Sequence, residues 1–234
     1  MDKNFSVSFV LPMFNEADNI ERTINMLKGI AGKLTDDYEI VIADDASTDD
    51  SVKIVTAVAE KDPCIKLFCL QQNTKFGGAF AKGFKGATKD VIVYMDSDLP
   101  VGEDDIKASF SMIDENDIVT GYSKVKKGET FLRKIISFVY NGMVQTLFGL
   151  SVRDINSGYK VVKRSLIDDI EFISLSPFID VELFIHAAKK NAKVYQYPLV
   201  FLNREGGKSY IARLPVILAT FRDMIKIRIL LKRG

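Results

Sequence analysis

The stretch VIVYMDSD, residues 91–98, consists of five apolar residues followed directly by an acidic triplet. A short, β-rich apolar run is typical of a strand buried on both faces of a parallel sheet. Asp96 and Asp98 then follow the carboxyl end of the strand, where a period of two points both carboxylates to the same side. Open α/β sheets bind ligands at that edge, so the stretch indicates both a fold class and a candidate site.

Similar apolar runs precede this strand, separated by segments with helical periodicity. The strand-like runs are residues 7–12, 38–43, 65–70 and 91–95. Helical patterns lie between them, including a glycine-rich segment that opens a helix at 78–88, and a longer pattern covers 129–147. The alternation predicts an α/β fold with a mostly parallel central sheet flanked by helices.

Composition places the chain among ordinary globular proteins. It has 234 residues, 47% of them hydrophobic, and a formal net charge of +1. We expect no nucleic-acid partner, because the charge is balanced over the chain as a whole. No low-complexity linker interrupts the pattern. We therefore predict one domain over residues 1–210 and a basic amphipathic helix over 211–234.

Two segments raise the question of a membrane. Residues 135–152 carry no charge, but their polar residues recur at helical spacing, which argues against a span. In the C-terminal segment, apolar residues share one broad helical face with basic residues beside it. That segment either rests on an anionic membrane surface or docks on the domain. The N-terminal apolar run is too short for an export signal, so we expect a cytoplasmic location.

Asp96 and Asp98 offer two hard oxygen ligands, which suit Mg²⁺ or Mn²⁺. Two carboxylates do not make a closed cage, so water and the phosphates of a nucleotide would complete such a site. The alternative is that the triplet is simply a solvated turn.

Two further segments follow predicted strands. The run ADDASTDD, residues 43–50, offers carboxylates to ribose hydroxyls or base N–H groups, although Asp49, Asp50 and Ser51 also suit helix N-caps. In NTKFGGAFAKG, residues 73–83, glycines would let the backbone approach a ligand. Neither GxGxxG after the first strand nor GxxxxGK[ST] is present, which counts against a dinucleotide-binding oxidoreductase.

Seven motifs in this order resemble those of the family 2 inverting glycosyltransferases. They are LPMFNEADNI, DDASTDD, NTKFGGAFAKG, MDSD, RKIISFVYN, DINSGYK and NREGGKS. The branch with dolichyl-phosphate mannose synthases and polyprenyl-phosphate glucosyltransferases is the most similar. The resemblance implies a GT-A fold, a nucleotide-sugar donor such as GDP-mannose or UDP-glucose, a divalent metal on the DxD, and a lipid phosphate acceptor.

The resemblance also implies roles for individual residues. Asp96 and Asp98 become metal ligands, with Asp98 also counted as catalytic, and Asp154 positions the acceptor or takes a proton. Asp180 and Glu182 occupy the place where relatives with hydroxyl acceptors keep a base, or they simply favour a helix start. The donor contacts are Pro12, Phe14, Glu16, Asp44, Asp45, Asp96 and Ser97, and the phosphate-binding residues are Arg133, also counted as catalytic, Arg204 and Lys208.

The chain departs from the family pattern at several places, including the Asp49-Asp50 step, where Asp-Gly is common, and TGYSKVKKG, residues 120–128, where a form with Arg is usual. Phe14 replaces the usual tyrosine, and Pro100 stands where mannose synthases often carry a glutamine, which leaves the third metal ligand open. The predicted function is transfer of a hexose to dolichyl or polyprenyl phosphate by a peripheral enzyme on the cytoplasmic face of the membrane. The alternatives are transfer to a sugar hydroxyl and a non-catalytic nucleotide-sugar binding subunit.

Overall fold

The structure is a computed structural model that describes residues 5–98, 101–123, 131–201 and 214–233. The described chain forms one seven-stranded sheet in the order β3-β2-β1-β4-β6-β5-β7. The strands are β1 Val7–Met13, β2 Tyr38–Asp44, β3 Ile65–Cys69, β4 Val91–Met95, β5 Ile118–Ser123, β6 Tyr159–Lys163 and β7 Val194–Leu199. The helices are α1 Ile20–Leu34, α2 Ser51–Ala59, α3 Lys75–Gly86, α4 Glu103–Ile113, α5 Phe131–Phe148, α6 Arg164–Ile167, α7 Ile179–Lys189 and α8 Leu214–Arg233.

The sheet is mostly parallel, as the alternation predicts. Strand β1 pairs in parallel with β2 and β4, β2 with β3, and β5 with β7. Strand β6 is inserted between β4 and β5 and is antiparallel to both. This orientation brings Tyr159, the first residue of β6, opposite Met95, the last residue of β4. The loop that leads into β6 therefore lies at the edge where β4 ends.

Helices cover both faces of the sheet and give two hydrophobic cores. Alternate residues of β1 face opposite cores: Phe9 and Leu11 pack with α1, whereas Val10 packs with α3. In α1, Ile20, Ile24 and Leu27 are fully buried because their spacing places them on one helical face. The second core contains residues of α3, α5, α7 and α8.

Helix α8 falls within the segment predicted to be an amphipathic helix. Met224 and Ile227 are buried in the second core, whereas Leu218, Ile225 and Ile229 remain exposed. The predicted domain boundary at residue 210 stays a prediction. Among the helices of the described residues, none combines the length and the apolar character needed to cross a bilayer.

Candidate active site

The sheet topology gathers the sequence motifs at one edge. Strands β1, β2 and β4 are parallel and end there at Met13, Asp44 and Met95. Strand β6 is antiparallel to β4, so β6 begins at the edge where β4 ends. The motif DINSGYK, which leads into β6, therefore lies at the same edge. Four separate segments of the sequence thus meet along this edge, which places the candidate active site there.

Contacts on two sides position the backbone of the acidic triplet. The N–H of Asp96 donates to the carbonyl oxygen of Gly158 at 3.2 Å. The carbonyl oxygen of Ser97, a buried residue, accepts from the hydroxyl of Thr23 in α1 at 2.8 Å. A Cβ atom at position 158 would lie 2.5 Å from Oδ2 of Asp96, so a glycine is needed for this close approach. Asp98 follows, partly exposed.

The donor atoms at this edge fit a divalent cation in an open site. Asp96 and Asp98 supply hard carboxylate oxygens, and the missing side chain at Gly158 leaves room for the Asp96 carboxylate. Over the described ranges, no group of three or more His, Cys, Asp or Glu residues is arranged to hold a metal. Mg²⁺ and Mn²⁺ prefer about six oxygen ligands, so two carboxylates leave positions on a bound ion for water or substrate phosphate.

Asp44 and Asp45, predicted to contact the nucleotide, are both buried and shape the neighbouring loops. The carboxylate of Asp44 accepts from the N–H of Ser47 at 3.1 and 3.3 Å. Oδ1 of Asp45 accepts from both the N–H and the hydroxyl of Thr74 at 2.7 Å. Burial raises the pKa of the Asp45 carboxyl, although the hydrogen bonds from Thr74 oppose that change. These bonds join the end of β2 to the start of α3.

The loop after β1 is bonded to the loop after β2. The N–H of Asn15 donates to Oγ of Ser47 at 2.9 Å, and Oδ1 of Asn15 accepts from the N–H of Thr48 at 2.8 Å. Asn15 has a φ of 54°, a left-handed conformation that asparagine tolerates better than most residues. Beside it, the side chain of Phe14 is 44% exposed. Pro12 and Glu16 are partly exposed at the same edge.

Asp49 precedes Asp50, the N-cap residue of α2, whose side chain makes no capping hydrogen bond. Oδ1 of Asp49 accepts from the N–H and the hydroxyl of Ser51, at 3.0 and 2.5 Å, at the start of α2. Its Oδ2 accepts from the N–H of Ala17 at 3.1 Å. Asp49 therefore supports both the helix start and the loop after β1.

Asp154 lies at the other side of the edge, in the loop before β6. Its Oδ2 accepts from the N–H of Ser123, the last residue of β5, at 3.4 Å. Its carbonyl oxygen accepts from the N–H of Ser157 at 3.1 Å, which closes a turn. The side chain is partly exposed. The residue predicted to position the acceptor thus lies in a loop at the same edge as Asp96 and Asp98.

Asp180 and Glu182 are buried and engaged with other protein groups. Oδ1 of Asp180 lies 2.8 Å from Nζ of Lys160. Burial raises the pKa of Asp180, and the charge of Lys160 opposes this. Glu182 accepts from the N–H groups of Ile173 and Ser174 at 2.8 and 2.9 Å. Both carboxylates thus support the protein's own loops, which does not suit a solvent-facing general base.

Three predicted phosphate-binding residues have side chains that the structure does not describe. Arg133 belongs to α5, but only its backbone is described. Arg204 and Lys208, like Pro100, lie outside the described residues. Their phosphate contacts stay predictions.

Sequence reasoning missed Lys160 and Asn156. Lys160 is completely buried, and Nδ2 of Asn156 donates to the carbonyl oxygen of Pro177 at 2.8 Å. One signal for Lys160 was present, because a single charge stands inside the otherwise apolar strand YKVV. A charge in such a position requires a partner, since burying an isolated charge is very costly.

The mostly parallel sheet with one inserted antiparallel strand, and an acidic triplet at the carboxyl end of β4, has the architecture of a GT-A fold. The chain belongs to glycosyl transferase family 2, whose family model matches residues 8–171. The predicted family and fold are thereby confirmed.

Curated relatives lie in a polyprenyl-phosphate branch of the family. The chain is 28% identical over 163 residues to an undecaprenyl-phosphate 4-deoxy-4-formamido-L-arabinose transferase of Serratia proteamaculans, covering 69% of this chain and 50% of the relative. The enzyme of the same name from Enterobacter is 28% identical over 206 residues, covering 87% and 62%. The chain thus spans about half to three-fifths of the length of these relatives.

Solved structures show the same fold. Glucosyl-3-phosphoglycerate synthase of Mycobacterium tuberculosis, in complex with Mn²⁺, UDP and phosphoglyceric acid, superposes with a TM-score of 0.70 at 19% identity. The match covers 95% of this chain and 76% of that one.

Proposed function

We propose that this protein transfers a sugar from a nucleoside diphosphate to a polyprenyl phosphate. The observation that carries the proposal is the contact of Asp96 with Gly158 in the loop that contains Asp154, with Asp98 two residues further on, at the edge where β4 ends. The names of the curated relatives support a polyprenyl phosphate as acceptor. Membership of family 2 supports the transfer reaction itself.

On the donor side, the chain binds and orients the nucleotide. Asp96 and Asp98 hold a divalent cation through their carboxylates, and the exposed ring of Phe14 offers a surface on which a base stacks. A bound Mg²⁺ or Mn²⁺ ion supplies positive charge that stabilises the departing diphosphate. Hydrogen bonds between the loops after β1 and β2 fix the shape of this part of the edge before the donor binds.

On the acceptor side, little proton transfer is needed. A lipid phosphate is already anionic at neutral pH, so its oxygen forms the new bond to the anomeric carbon as the bond to the diphosphate breaks. Asp154 orients the acceptor from the loop before β6. The buried, engaged state of Asp180 and Glu182 favours this acceptor over a sugar hydroxyl, which needs a general base.

For the donor we propose a UDP-linked sugar. The solved neighbour with the same fold was crystallised with UDP, and we keep a hexose as the first candidate. The relatives transfer a formamido-arabinose, so the donor assay must include aminopentoses as well as glucose and mannose.

We also propose that the protein works at the cytoplasmic surface of a membrane, where a polyprenyl phosphate presents its headgroup. Helix α8 supports this proposal, because exposed Leu218, Ile225 and Ile229 lie along the same helix as exposed Arg222 and Lys226. An apolar strip flanked by cations suits an anionic lipid surface.

The deciding experiment is a transfer assay with purified protein, polyprenyl phosphate, Mn²⁺ or Mg²⁺, and a panel of UDP- and GDP-sugars. Wild type is expected to form a glycolipid with at least one donor. Asp98→Ala is expected to lower turnover by about 10³-fold with an unchanged melting temperature, because the cation loses a ligand. Asp114→Ala, at the exposed end of α4, is the control and should retain full activity.

Two outcomes would contradict the proposal. Binding of nucleotide sugars without turnover on any acceptor would indicate a non-catalytic binding subunit. Transfer to a sugar hydroxyl, with none to polyprenyl phosphate, would indicate the other branch of acceptors.

A further inference from the structure

Lys160 and Asp180 form an ion pair within the second core of the protein. Lys160 is 0% exposed and Asp180 is 2% exposed, with Nζ and Oδ1 at 2.8 Å. The Lys160 ammonium also lies 5.8 Å from the centre of the Tyr94 ring, a contact that favours a cation. Buried ion pairs are often no more stabilising than apolar residues of similar volume. Stability alone therefore does not explain why two charges occupy this place.

The remaining contacts of the pair go to the loop before β6. Nζ of Lys160 donates to the carbonyl oxygen of Ser157. Nδ2 of Asn156 donates to Oδ2 of Asp180 at 3.4 Å and to the carbonyl oxygen of Pro177 at 2.8 Å. The pair thus joins residues 156 and 157 to the first turn of α7. This loop is anchored through buried charges, whose bonds are strongly favoured in a dry environment.

The anchored loop contains Asp154 and supports Asp96, two of the carboxylates predicted to be functional. Residue 158 follows the anchored Ser157, and its carbonyl oxygen accepts from the N–H of Asp96 at 3.2 Å. Its Cα lies so close to the Asp96 carboxylate that a Cβ would clash with Oδ2. Asp154 begins the same turn. Moving this loop would therefore displace the Asp154 carboxylate and the support beneath Asp96 together.

We propose that Lys160 is a positioning residue for the transfer reaction. With Asp180 as its counterion, it fixes residues 154–158 so that Asp96 holds its cation in one geometry and Asp154 faces the acceptor. The inference rests on the proposed function for its chemical consequence. Its structural part, the anchoring of the loop, stands independently of turnover.

The test compares charge-free and hydrogen-bonding replacements of the whole pair. Lys160→Met with Asp180→Leu removes both charges at similar volume, and Lys160→Gln with Asp180→Asn keeps neutral hydrogen bonds. Lys66→Met is the matched control, because Lys66 forms an ion pair at 2.5 Å with buried Glu39 elsewhere in the fold. All variants are compared with wild type by thermal unfolding, hydrogen exchange and Mn²⁺ binding.

In the Met/Leu variant, amide exchange in peptides spanning 94–98 and 153–159 is expected to be at least tenfold faster, while other core peptides keep wild-type rates. Affinity for Mn²⁺ with UDP, measured by electron paramagnetic resonance, is expected to fall at least tenfold. The Gln/Asn variant should lie between this variant and wild type. Lys66→Met should lower the melting temperature without changing exchange in these peptides or Mn²⁺ affinity.

Wild-type exchange in both peptides of a folded Met/Leu variant would overturn the inference. If that variant does not fold, the Gln/Asn variant decides: faster exchange confined to these peptides supports the inference, and unchanged exchange overturns it. If the wild-type protein makes no glycolipid, the proposed function is contradicted. The exchange result then still decides whether the Lys160–Asp180 pair anchors the loop. Normal synthesis with unchanged exchange contradicts only the inference.

Discussion

Gly158 shows how one missing side chain shapes the candidate site. A Cβ there would lie 2.5 Å from Oδ2 and 3.1 Å from Cγ of Asp96, and real Cβ atoms do not approach so closely. Gly158→Ala should therefore turn the Asp96 carboxylate away and weaken Mn²⁺ binding by about tenfold, roughly 1.4 kcal/mol. Calorimetric titration of Mn²⁺ in the presence of UDP measures this effect.

Gly29→Ala in α1 is the matched control for that substitution. No atom outside the local helix lies within 4 Å of the position of its Cβ. An alanine in a helix interior is favoured over glycine by about 0.5–1 kcal/mol, so this variant should be slightly more stable than wild type. Equal Mn²⁺ affinities of the two alanine variants would contradict the role given to Gly158.

Glu39 predicts a pH dependence of stability that is independent of the active site. Burial alone would raise the pKa of Glu39, but hydrogen bonds from Lys66, Ser8 and Thr88 lower it below 4.5. A carboxyl whose pKa is depressed by folding stabilises the protein above its unfolded pKa and loses this effect as pH falls through the folded pKa. Glu39 thus contributes to stability at neutral pH and ceases to do so in acid.

Glu39→Gln should lower the free energy of unfolding by about 1–2 kcal/mol at pH 7, because a charged acceptor is replaced by a neutral one. The difference from wild type should shrink steadily below about pH 4.5. Urea unfolding between pH 3 and 7 measures it, with Glu60→Gln at the exposed end of α2 as control. A difference that stays constant over this range would refute the assignment.

The roles of single acidic residues were predictable only where they depend on neighbouring sequence. Asp96 and Asp98 were placed correctly at the sheet edge because strand period and strand end are local properties. The bonds of Asp45 and Asp180 depend on Thr74 and Lys160, which lie 29 and 20 positions away in the chain. No local pattern specifies such partners, and they decide whether a carboxylate supports a loop or faces solvent.

At the scale of elements, two buried carboxylates fix the segment before α7. Glu182 of α7 accepts from the N–H groups of Ile173 and Ser174. Asp223 of α8 accepts from those of Leu175 and Ser176 at 3.1 and 3.0 Å. Four consecutive N–H groups are thus satisfied by side chains, which fixes this irregular segment although it forms no helix or strand.

Asp223→Ala should lower the free energy of unfolding by about 2–4 kcal/mol, because the N–H groups of Leu175 and Ser176 lose their acceptor. Arg222→Ala is the control: its side chain is exposed, its contact with Asp223 is 3.6 Å, and its removal should cost less than about 1 kcal/mol. Urea unfolding measures both. Similar losses for the two variants would show that Asp223 does not stabilise this segment.

The helix predicted at 78–88 is present as α3, Lys75–Gly86, but its glycines have a role that its own sequence does not indicate. The run NTKFGGAFAKG was expected to bring backbone close to a ligand and to open a helix at residue 78, whereas α3 begins at Lys75. Gly77 donates to the carbonyl oxygen of Leu175 at 2.9 Å, and a Cβ there would lie 2.5 Å from the carbonyl oxygen of Ser174. At Gly77 the small residue serves close packing between segments about 100 positions apart, which a local pattern does not reveal.

The antiparallel direction of β6 was likewise not predictable from its own residues. The strand is Tyr159–Lys163, and its mostly apolar residues suit a strand of either direction. Direction depends on which strands flank it, and β4 and β5 are both distant in sequence. The family resemblance supplied the GT-A fold that local patterns alone did not specify.

For the molecule as a whole, part of the exposed apolar surface of the described residues lies on and beside α8. Leu218, Ile225 and Ile229 are 61%, 57% and 44% exposed, and Leu175, in the segment bonded to Asp223, is 48% exposed. This segment also contacts α3 through Gly77, so the apolar surface is connected through the core to the loops of the candidate site.

Replacing two of these side chains tests whether this surface binds lipid. Leu218→Glu with Ile225→Glu should weaken binding to vesicles containing anionic phospholipid by more than tenfold, because each buried aliphatic side chain contributes about 2 kcal/mol and the new charges repel the headgroups. Vesicle sedimentation measures binding. Met26→Glu, at a 43% exposed position on α1, is the control and should bind like wild type.

Binding of wild type should also weaken in high salt and on uncharged vesicles, since Arg222 and Lys226 face solvent beside the apolar residues. If the α8 variant sediments with anionic vesicles as well as wild type does, the membrane-facing role of α8 is wrong, and the helix packs on the second core and holds residues 175 and 176 through Asp223.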